Sequence, residues 1–562
     1  MNHEKAGGYI SRITFNNGES LDISRDDIVI FVGPNNAGKS QSLKDIYTLS
    51  EQKMPTTVIS DINITKNNLP ISATLEKLSE GEHRGGFTTY IVLNHRMHIY
   101  NSTDESFLSE QYYGEYRALF VANLDTAARL TICSPPNSIP RNASKQHPIH
   151  YAAFSSNYRK WLSDSFKKAF GIEVTPNTQY GSQIPLCIGE PVQLTGQYKD
   201  EQDRQEAYAR ILDTYKQVQN QGDGIKSFTG ILLYLMLDYY CTYLIDEPES
   251  FLHPPQARIM GQIIGQTLAD QQQAFISTHS EEIIKGLLEA CPNRIKIIRI
   301  TREEDTNSFS VLNNQEFRQV WNDPILRYSN IMASLFHKTV VLCESDSDCK
   351  MYSIIESHIK QRQGKYSETL FIHCGGKHRM AKIVKALRSL NVNTKLITDI
   401  DVLNDETVFQ GIVESYGIDY DAIRTDYKNI VSNLHSDKEK INRIAAKSAI
   451  SQIMDNGKSA ELSKNELKQI RDIISTTSIW SKLKSSGVSA LPSGNATASF
   501  KHMEQVLQGN GIYIVPVGEL ECFVREVGGH GPEWANTVLE RYPNLDDAVY
   551  HRITEFIESM EL

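Results

Sequence analysis

Short apolar runs punctuate the chain at wide intervals: IVIFV (28–32), YLID (243–246), AFISTH (274–279) and, past the midpoint, KTVVLCE (338–344). Each is too short for a buried helix and ends at a glycine, an acidic residue or a small polar turn. Such runs read as strands covered on both faces. The helix-like segment PPQARIMGQIIGQTLAD separates the second run from the third. Strands alternating with helices predict a parallel sheet flanked by helices. Residues 51–220 are less legible, mixing strand-like pieces with polar loops such as SPPNSIPRNASKQHP (134–148).

The alternation restarts near His337. KTVVLCE is followed by a helical pattern, then TLFIHCGGK (369–377), a second helix, and TKLITDID (394–401). Residues 404–484 are rich in Lys and Glu with helical periodicity, and GIYIVPVGELE (511–521) returns to a strand. These shifts place a boundary between about residues 315 and 336. They predict two domains, 1–325 and 336–562, the second with a helical insertion at about 404–484. No internal repeat or low-complexity tract is visible. The longest apolar run, ILLYLMLDYYCTYLI (231–245), is broken by Asp238 and reads as a buried helix feeding a buried strand, not as a membrane span. MNHEKAGGYISRITF lacks the apolar stretch of a signal peptide, so a cytoplasmic location without membrane contact is expected.

Composition narrows this picture only slightly. The chain has 562 residues, enough for several cores, and 40% hydrophobic residues, as soluble proteins do. Its net charge of −10 excludes a globally basic nucleic-acid binder, so any such role needs a local basic patch. Eight cysteines (Cys133, Cys187, Cys241, Cys291, Cys343, Cys349, Cys374 and Cys522) are scattered without a CxxC pair. That spacing excludes a zinc ribbon and a disulfide framework and suits reduced thiols.

Candidate chemistry begins with GPNNAGKS (33–40), which follows the first strand and precedes a helix. In such a loop (Gly33, Asn35, Asn36, Gly38) backbone amides cradle phosphates, Lys39 reaches the terminal phosphates and Ser40 holds Mg²⁺. The second strand delivers Asp246 to that Mg²⁺, and Glu247 beside it can polarise a water. His279 follows the third strand in STHS. In this order the three elements, with LIDEPESFLHP, resemble the ABC-type ATPases. That resemblance implies ATP hydrolysis by paired heads, in which a signature loop closes over the partner's phosphate. The matching stretch is QGDGIKSFTGILLYL (221–235). Here Asp223 stands where many such heads have serine, so the Gly224 backbone, Lys226 or Ser227 is expected to make the contact. No heptad zipper separates the motifs, which excludes a long coiled-coil arm.

The second half carries its own acidic set. Glu344 ends one strand, and Asp399 and Asp401 straddle the end of another. Adjacent parallel strands bring such carboxylates together at the sheet edge where open α/β folds place their sites. Hard oxygen donors so clustered suit Mg²⁺ or Mn²⁺. A Glu followed by D-x-D on a later strand, with CGGK (374–377) as a Gly-rich turn, resembles the Toprim domain of topoisomerases, DnaG-type primases and OLD-family nucleases. The resemblance implies catalytic roles for Glu344, Asp399 and Asp401. It also implies further metal ligands at Asp348, Glu519 and Glu521, which makes a two-metal site. GGKHRMAKIVKALR (375–388) supplies a local basic patch, with Lys377, Arg379, Lys382, Lys385 and Arg388 placed to neutralise nucleic-acid phosphates. OLD nucleases also carry a lysine after the last acidic pair. This chain has no lysine after Lys501, so His530, Arg525 or Arg541 is expected to substitute.

As a whole the chain resembles the OLD family, which includes anti-phage effectors such as Gabija and retron-associated nucleases. The implied fold is α/β, an N-terminal ABC-type P-loop ATPase domain followed by a Rossmann-like Toprim nuclease domain with a helical insertion. The implied function is ATP-regulated, divalent-metal-dependent DNA cleavage in bacterial phage defence. DNA and a second copy of the chain, as a homodimer or higher oligomer, are the expected partners. A co-encoded protein, such as a helicase or a reverse transcriptase with structured RNA/DNA, is a further expected partner. Two other readings stay open: a Toprim enzyme of primase or topoisomerase type, and a nucleotide-switched scaffold whose Toprim half only binds DNA or protein.

Overall fold

The computed structural model describes residues 6–312 and 331–562, except 80, 85, 94, 101, 191, 193, 195–196, 238–239, 269–271, 305, 437–442, 457–460 and 475–478. The chain divides into two compact units, Met1–Asn314 and Gln315–Leu562. Most of the boundary region expected at 315–336 lies outside the described residues.

The first unit is built on a six-stranded sheet. Its order is Thr306–Val311, Ile295–Glu303, Ile28–Val32, Gln273–Ser277, Thr242–Asp246, Val121–Leu124. All neighbours run parallel except the hairpin Ile295–Glu303/Thr306–Val311 at one edge. Every residue of Ile28–Val32 and of Gln273–Ser277 is buried, as expected of a strand covered on both faces. The register aligns Asp246 with Ser277 and Ser277 with Phe31, so the three candidate motifs emerge at one edge. The short strand Val121–Leu124, with only four residues to show a pattern, extends the sheet beside Thr242–Asp246.

The illegible stretch mixes helices, such as Ser156–Phe170 and Glu201–Leu212, with strands that are mostly antiparallel. Gly8–Phe15 pairs with Ser20–Asp22 and Ile59–Lys66, and Glu82–Arg84, Phe87–Val92 and His95–Tyr100 form a three-stranded meander. Phe15, Tyr90, Phe107 and Phe120 share one core with Phe31 and Phe275 of the main sheet. This segment therefore belongs to the first unit's core.

The second unit centres on a four-stranded parallel sheet ordered Thr369–His373, Thr339–Cys343, Asn393–Thr398, Ile512–Ile514. Thr339–Cys343 and Asn393–Thr398 are neighbours, so their C-terminal ends meet at the same edge. Helix Asp346–Arg362 packs with Gly531–Arg541 and His551–Glu558 around Tyr352, Ile355, Trp534, Ile553 and Phe556. Between Asn393–Thr398 and Ile512–Ile514 the described residues are largely helical, and this region continues past residue 484 to helix Asn495–Gly509. Among the described residues no helix is long and apolar enough to cross a membrane. All eight cysteines are free thiols.

Candidate functional sites

The loop after Ile28–Val32 is shaped by glycines. Gly33 has φ +143, and a Cβ there would lie 2.1 Å from the Ile300 carbonyl oxygen, so no side chain fits. Gly38, at φ +99, precedes helix Lys39–Glu51, and Asn36 is also left-handed at φ 59. Asn35 and Asn36 are exposed at the tip, and Ser40 lies in the first turn of the helix. The Lys39 ammonium donates to the carbonyls of Gly33 (2.9 Å) and Pro34 (2.7 Å). Burial lowers its pKa to about 8, against the opposing pull of Glu247, Glu249 and Asp246.

Asp246 ends its strand with Oδ1 accepting from the Ser277 hydroxyl. Glu247 follows in a left-handed conformation, φ 47, which costs a non-glycine residue about 1–2 kcal/mol. Its N–H donates to Ser277 O and its carbonyl accepts from the Ser250 N–H, both at 2.9 Å. The turn thus aims the Glu247 side chain at His279, whose Nε2 lies 3.7 Å from Glu247 Oε1. Burial, then the Lys39 charge, lowers the His279 pKa and favours the neutral imidazole. The sequence reading passed over Glu249. This buried carboxylate accepts from the His279 N–H (2.7 Å) and so joins the turn after Asp246 to the histidine loop. Its only sequence signal was a second glutamate in DEPE.

The stretch matched to the signature loop forms helix Asp223–Leu235. Asp223 pairs with Lys226 at 2.7 Å, so the acid that stood in for serine is neutralised within its own turn. Gly224 presses on the Phe251 carbonyl, where a Cβ would come within 2.5 Å. Ser227, expected among the phosphate contacts, is fully buried. It shares the inward stripe with Gly230 and Ile231, one helical turn on, and does not face outward.

In the second unit Glu344, Asp399 and Asp401 offer carboxylate oxygens all within 4.8 Å of one another. Glu344 Oε1 accepts from the Thr398 hydroxyl (2.9 Å) and the Asp399 N–H (3.2 Å). Burial raises the Glu344 pKa, and burial with the charges of Glu344, Asp348 and Asp401 raises that of Asp399 well above normal. Buried like charges that resist ionisation are what a divalent cation relieves, and the all-oxygen donor set fits Mg²⁺ or Mn²⁺. Asp348 plays a second part. With Ser345 it forms the capping box of helix Asp346–Arg362, accepting from the Ser345 N–H at 2.9 Å. Its pKa is raised by burial and by Glu521 among its neighbours. Glu519, Glu521 and His530 form the second group, also within 4.8 Å, with Glu521 Oε1 accepting from the Gly531 N–H (2.8 Å).

The basic residues divide differently from the expectation. Lys377 turns inward and pairs with Asp401 at 3.0 Å, bonding its carbonyl as well. Arg388 lies over the Tyr416 ring at 5.2 Å, and the Arg379 guanidinium lies near Gly375. Lys382 and Lys385 are exposed on helix Met380–Ser389. Of the residues expected to replace a downstream lysine, His530 sits beside Glu519 and Glu521. Arg525 bonds the Ser485 carbonyl and Arg541 that of Glu526. A lysine upstream of the acidic pair, besides Lys377, also reaches the site. Lys484, in the helical insertion, lies 3.2 Å from Glu519 and 3.9 Å from Asp401. Burial opposes its charge, but Glu519, Asp401 and Asp399 outweigh it and its pKa rises. Sequence order hid this residue, because reach in space does not follow reach along the chain.

Comparison with known proteins agrees with this geometry. The family described as "AAA domain, putative AbiEii toxin, Type IV TA system" matches residues 124–285. The family described as "Overcoming lysogenization defect protein-like, TOPRIM domain" matches 335–401. The "Old nuclease" of Escherichia phage P2 is 22% identical over 326 residues, covering 54% of this chain and 49% of its own length. The chain therefore spans about half of that relative. Among solved structures, an Smc head domain with an extended coiled coil from Pyrococcus furiosus aligns with TM-score 0.32 and 11% identity, over 56% of this chain and 98% of its own. The SMC head domain from Thermotoga maritima gives TM-score 0.28 and 11% identity, over 55% and 100%. Motif order, carboxylate geometry and the two matched families agree: the chain joins an AAA-type ATPase domain to an OLD-like TOPRIM domain.

Proposed function

We propose that this protein is an ATP-regulated, divalent-metal-dependent endonuclease that cleaves DNA phosphodiester bonds and acts in bacterial phage defence from the cytoplasm. The observation that carries the reading is the meeting of Glu344, Asp399 and Asp401 at one sheet edge, with lysines 377 and 484 against Asp401. A site that only gripped DNA phosphates would gather cations, and buried carboxylates would repel them. The domain limits follow the two compact units, near residue 315.

Glu344, Asp399 and Asp401 would hold one cation, and Glu519 and Glu521, with Asp348, a second. Metals so held supply Lewis acidity toward water and the leaving oxygen. Lys484 places a positive charge where the phosphate's negative charge grows, and Lys382 and Lys385 bind the flanking backbone electrostatically. In the ATPase unit the loop amides, Lys39 and Ser40 hold the nucleotide and its Mg²⁺ with Asp246, Glu247 takes the water's proton, and His279 orients it. Gly224 and Lys226 reach the nucleotide of a second head, which makes a homodimer the working form.

The test is supercoiled plasmid incubated with the full-length protein, Mg²⁺ or Mn²⁺, and ATP. Metal-dependent nicking or linearisation is expected, lost in Glu344→Ala and in the double variant Asp399→Ala/Asp401→Ala, with ATP hydrolysis retained in both. Cleavage surviving Glu344→Ala sinks the nuclease assignment, and binding without cleavage favours the scaffold reading.

A further inference from the structure

Arg129, on helix Thr126–Thr131, is fully buried, yet its hydrogen bonds go to backbone carbonyls and a hydroxyl and none to a carboxylate. Nη1 donates to the carbonyls of Leu124 (3.2 Å) and Asp246. Nη2 donates to Thr126 Oγ1 (3.2 Å) and to the carbonyl of Glu247 (3.3 Å). Burial lowers its pKa, while Asp246, Glu249, Asp125 and Glu247 oppose that, and a guanidinium so placed stays charged.

The two carbonyls at the turn belong to the peptide units on either side of the Glu247 Cα. Rotation of those units about the Cα defines φ and ψ, so gripping both fixes the backbone of Glu247. That backbone is left-handed, a conformation a glutamate does not keep without outside restraint. Arg129 is in turn attached to a second element. A Cβ on Gly230 would lie 2.2 Å from the Arg129 carbonyl oxygen, so helix Thr126–Thr131 rests directly on helix Asp223–Leu235. The Cys133 thiol, just beyond, reaches the Lys226 carbonyl at 3.2 Å. One arginine thus joins the turn that carries the catalytic glutamate to the helix that carries Gly224 and Lys226.

We propose that Arg129 is a positioning residue that aims Glu247 and makes its alignment depend on the seating of helix Asp223–Leu235. The inference rests on the ATPase reading above. A shift of that helix moves Arg129, and with it the two peptide planes that set the direction of the Glu247 carboxylate. Lysine is no substitute, because a single ammonium lacks the planar fork that reaches both carbonyls at once.

The experiment compares full-length wild type, Arg129→Lys, Glu247→Gln and the double variant. It reads steady-state ATP turnover, affinity for a fluorescent non-hydrolysable ATP analogue, and melting temperature. Arg129→Lys should lower kcat on the order of 100-fold, as a misplacement of about 1 Å does. Analogue affinity should stay within about twofold, and the double variant should be no slower than Glu247→Gln alone. Unchanged kcat, affinity falling in step with kcat, or multiplied losses in the double variant would each overturn the proposal. If Arg129→Lys does not fold, Thr126→Val removes one of its orienting acceptors and should give a smaller kcat loss with the same non-additivity; unchanged kcat there overturns it equally. Wild type that binds the analogue but turns over no ATP refutes the ATPase reading, and the inference with it.

Discussion

Lys484 Nζ lies 3.2 Å from Glu519 Oε2, joining a helix of the insertion to the acidic turn after strand Ile512–Ile514. The same ammonium is 3.9 Å from Asp401, so one positive charge serves both acidic groups. It competes with any divalent cation and offers charge to a phosphate. Lys484→Ala should therefore tighten Mn²⁺ binding about tenfold, the Coulomb effect discounted for a partly exposed side chain. The same change should slow DNA cleavage by on the order of tenfold or more. Calorimetric Mn²⁺ titration beside plasmid nicking rates checks both. Weaker Mn²⁺ binding would show that Lys484 orders the carboxylates instead.

The lowered pKa of Lys39 makes nucleotide affinity sensitive to alkali. Free Lys39 loses its proton near pH 8, whereas ATP phosphates favour the charged form. Above pH 8 binding must take up a proton, so ATP affinity should fall with a slope approaching tenfold per pH unit until the bound-state pKa is reached. Below pH 8 this contribution is flat. A titration from pH 6.5 to 9.5 with no break near 8 contradicts the burial of this ammonium.

Glu247→Gln keeps the size of the side chain and the left-handed turn but cannot accept the water's proton. ATP binding should persist while hydrolysis falls by about 10²- to 10⁴-fold, the usual worth of a general base. Trapped nucleotide should hold the heads closed, seen as an ATP-dependent dimer in light scattering. Wild-type turnover in this variant removes Glu247 from the reaction.

Lys382 and Lys385 are exposed on helix Met380–Ser389, which follows the Lys377 that pairs with Asp401. Contacts to phosphates release counterions, so duplex affinity should fall steeply with salt. Replacing both lysines by alanine should flatten the slope of log affinity against log salt by about two, near one per lost contact. Fluorescence anisotropy with Ca²⁺ in place of Mg²⁺ measures this without cutting. Equal slopes place the DNA path elsewhere.

The phosphate loop, Asp246, Glu247 and His279 were legible because each follows an apolar strand whose pattern marks where it ends. Glu344, Asp399 and Asp401 were legible for the same reason, since adjacent parallel strands present their ends at one edge. Arg129, Glu249 and Lys484 were not. Their roles depend on which elements come to lie together, as when helix Thr126–Thr131 rests on Asp223–Leu235, and no local spacing records that. Basic neighbours in the sequence group Lys377 with a phosphate-facing patch, but the Gly-rich turn swings it back onto Asp401. Ser227, an expected contact, is buried because helical periodicity turns it inward.

The left-handed backbone of Glu247 sets stability against activity at one position. A glycine there would relieve about 1–2 kcal/mol of native strain while adding ~0.5–1 kcal/mol of freedom to the unfolded chain. Selection for thermal endurance alone would therefore tend to replace this glutamate, and a hardier protein unable to hydrolyse ATP would result. In the role proposed above, Glu247 is a position where function outweighs ease of folding.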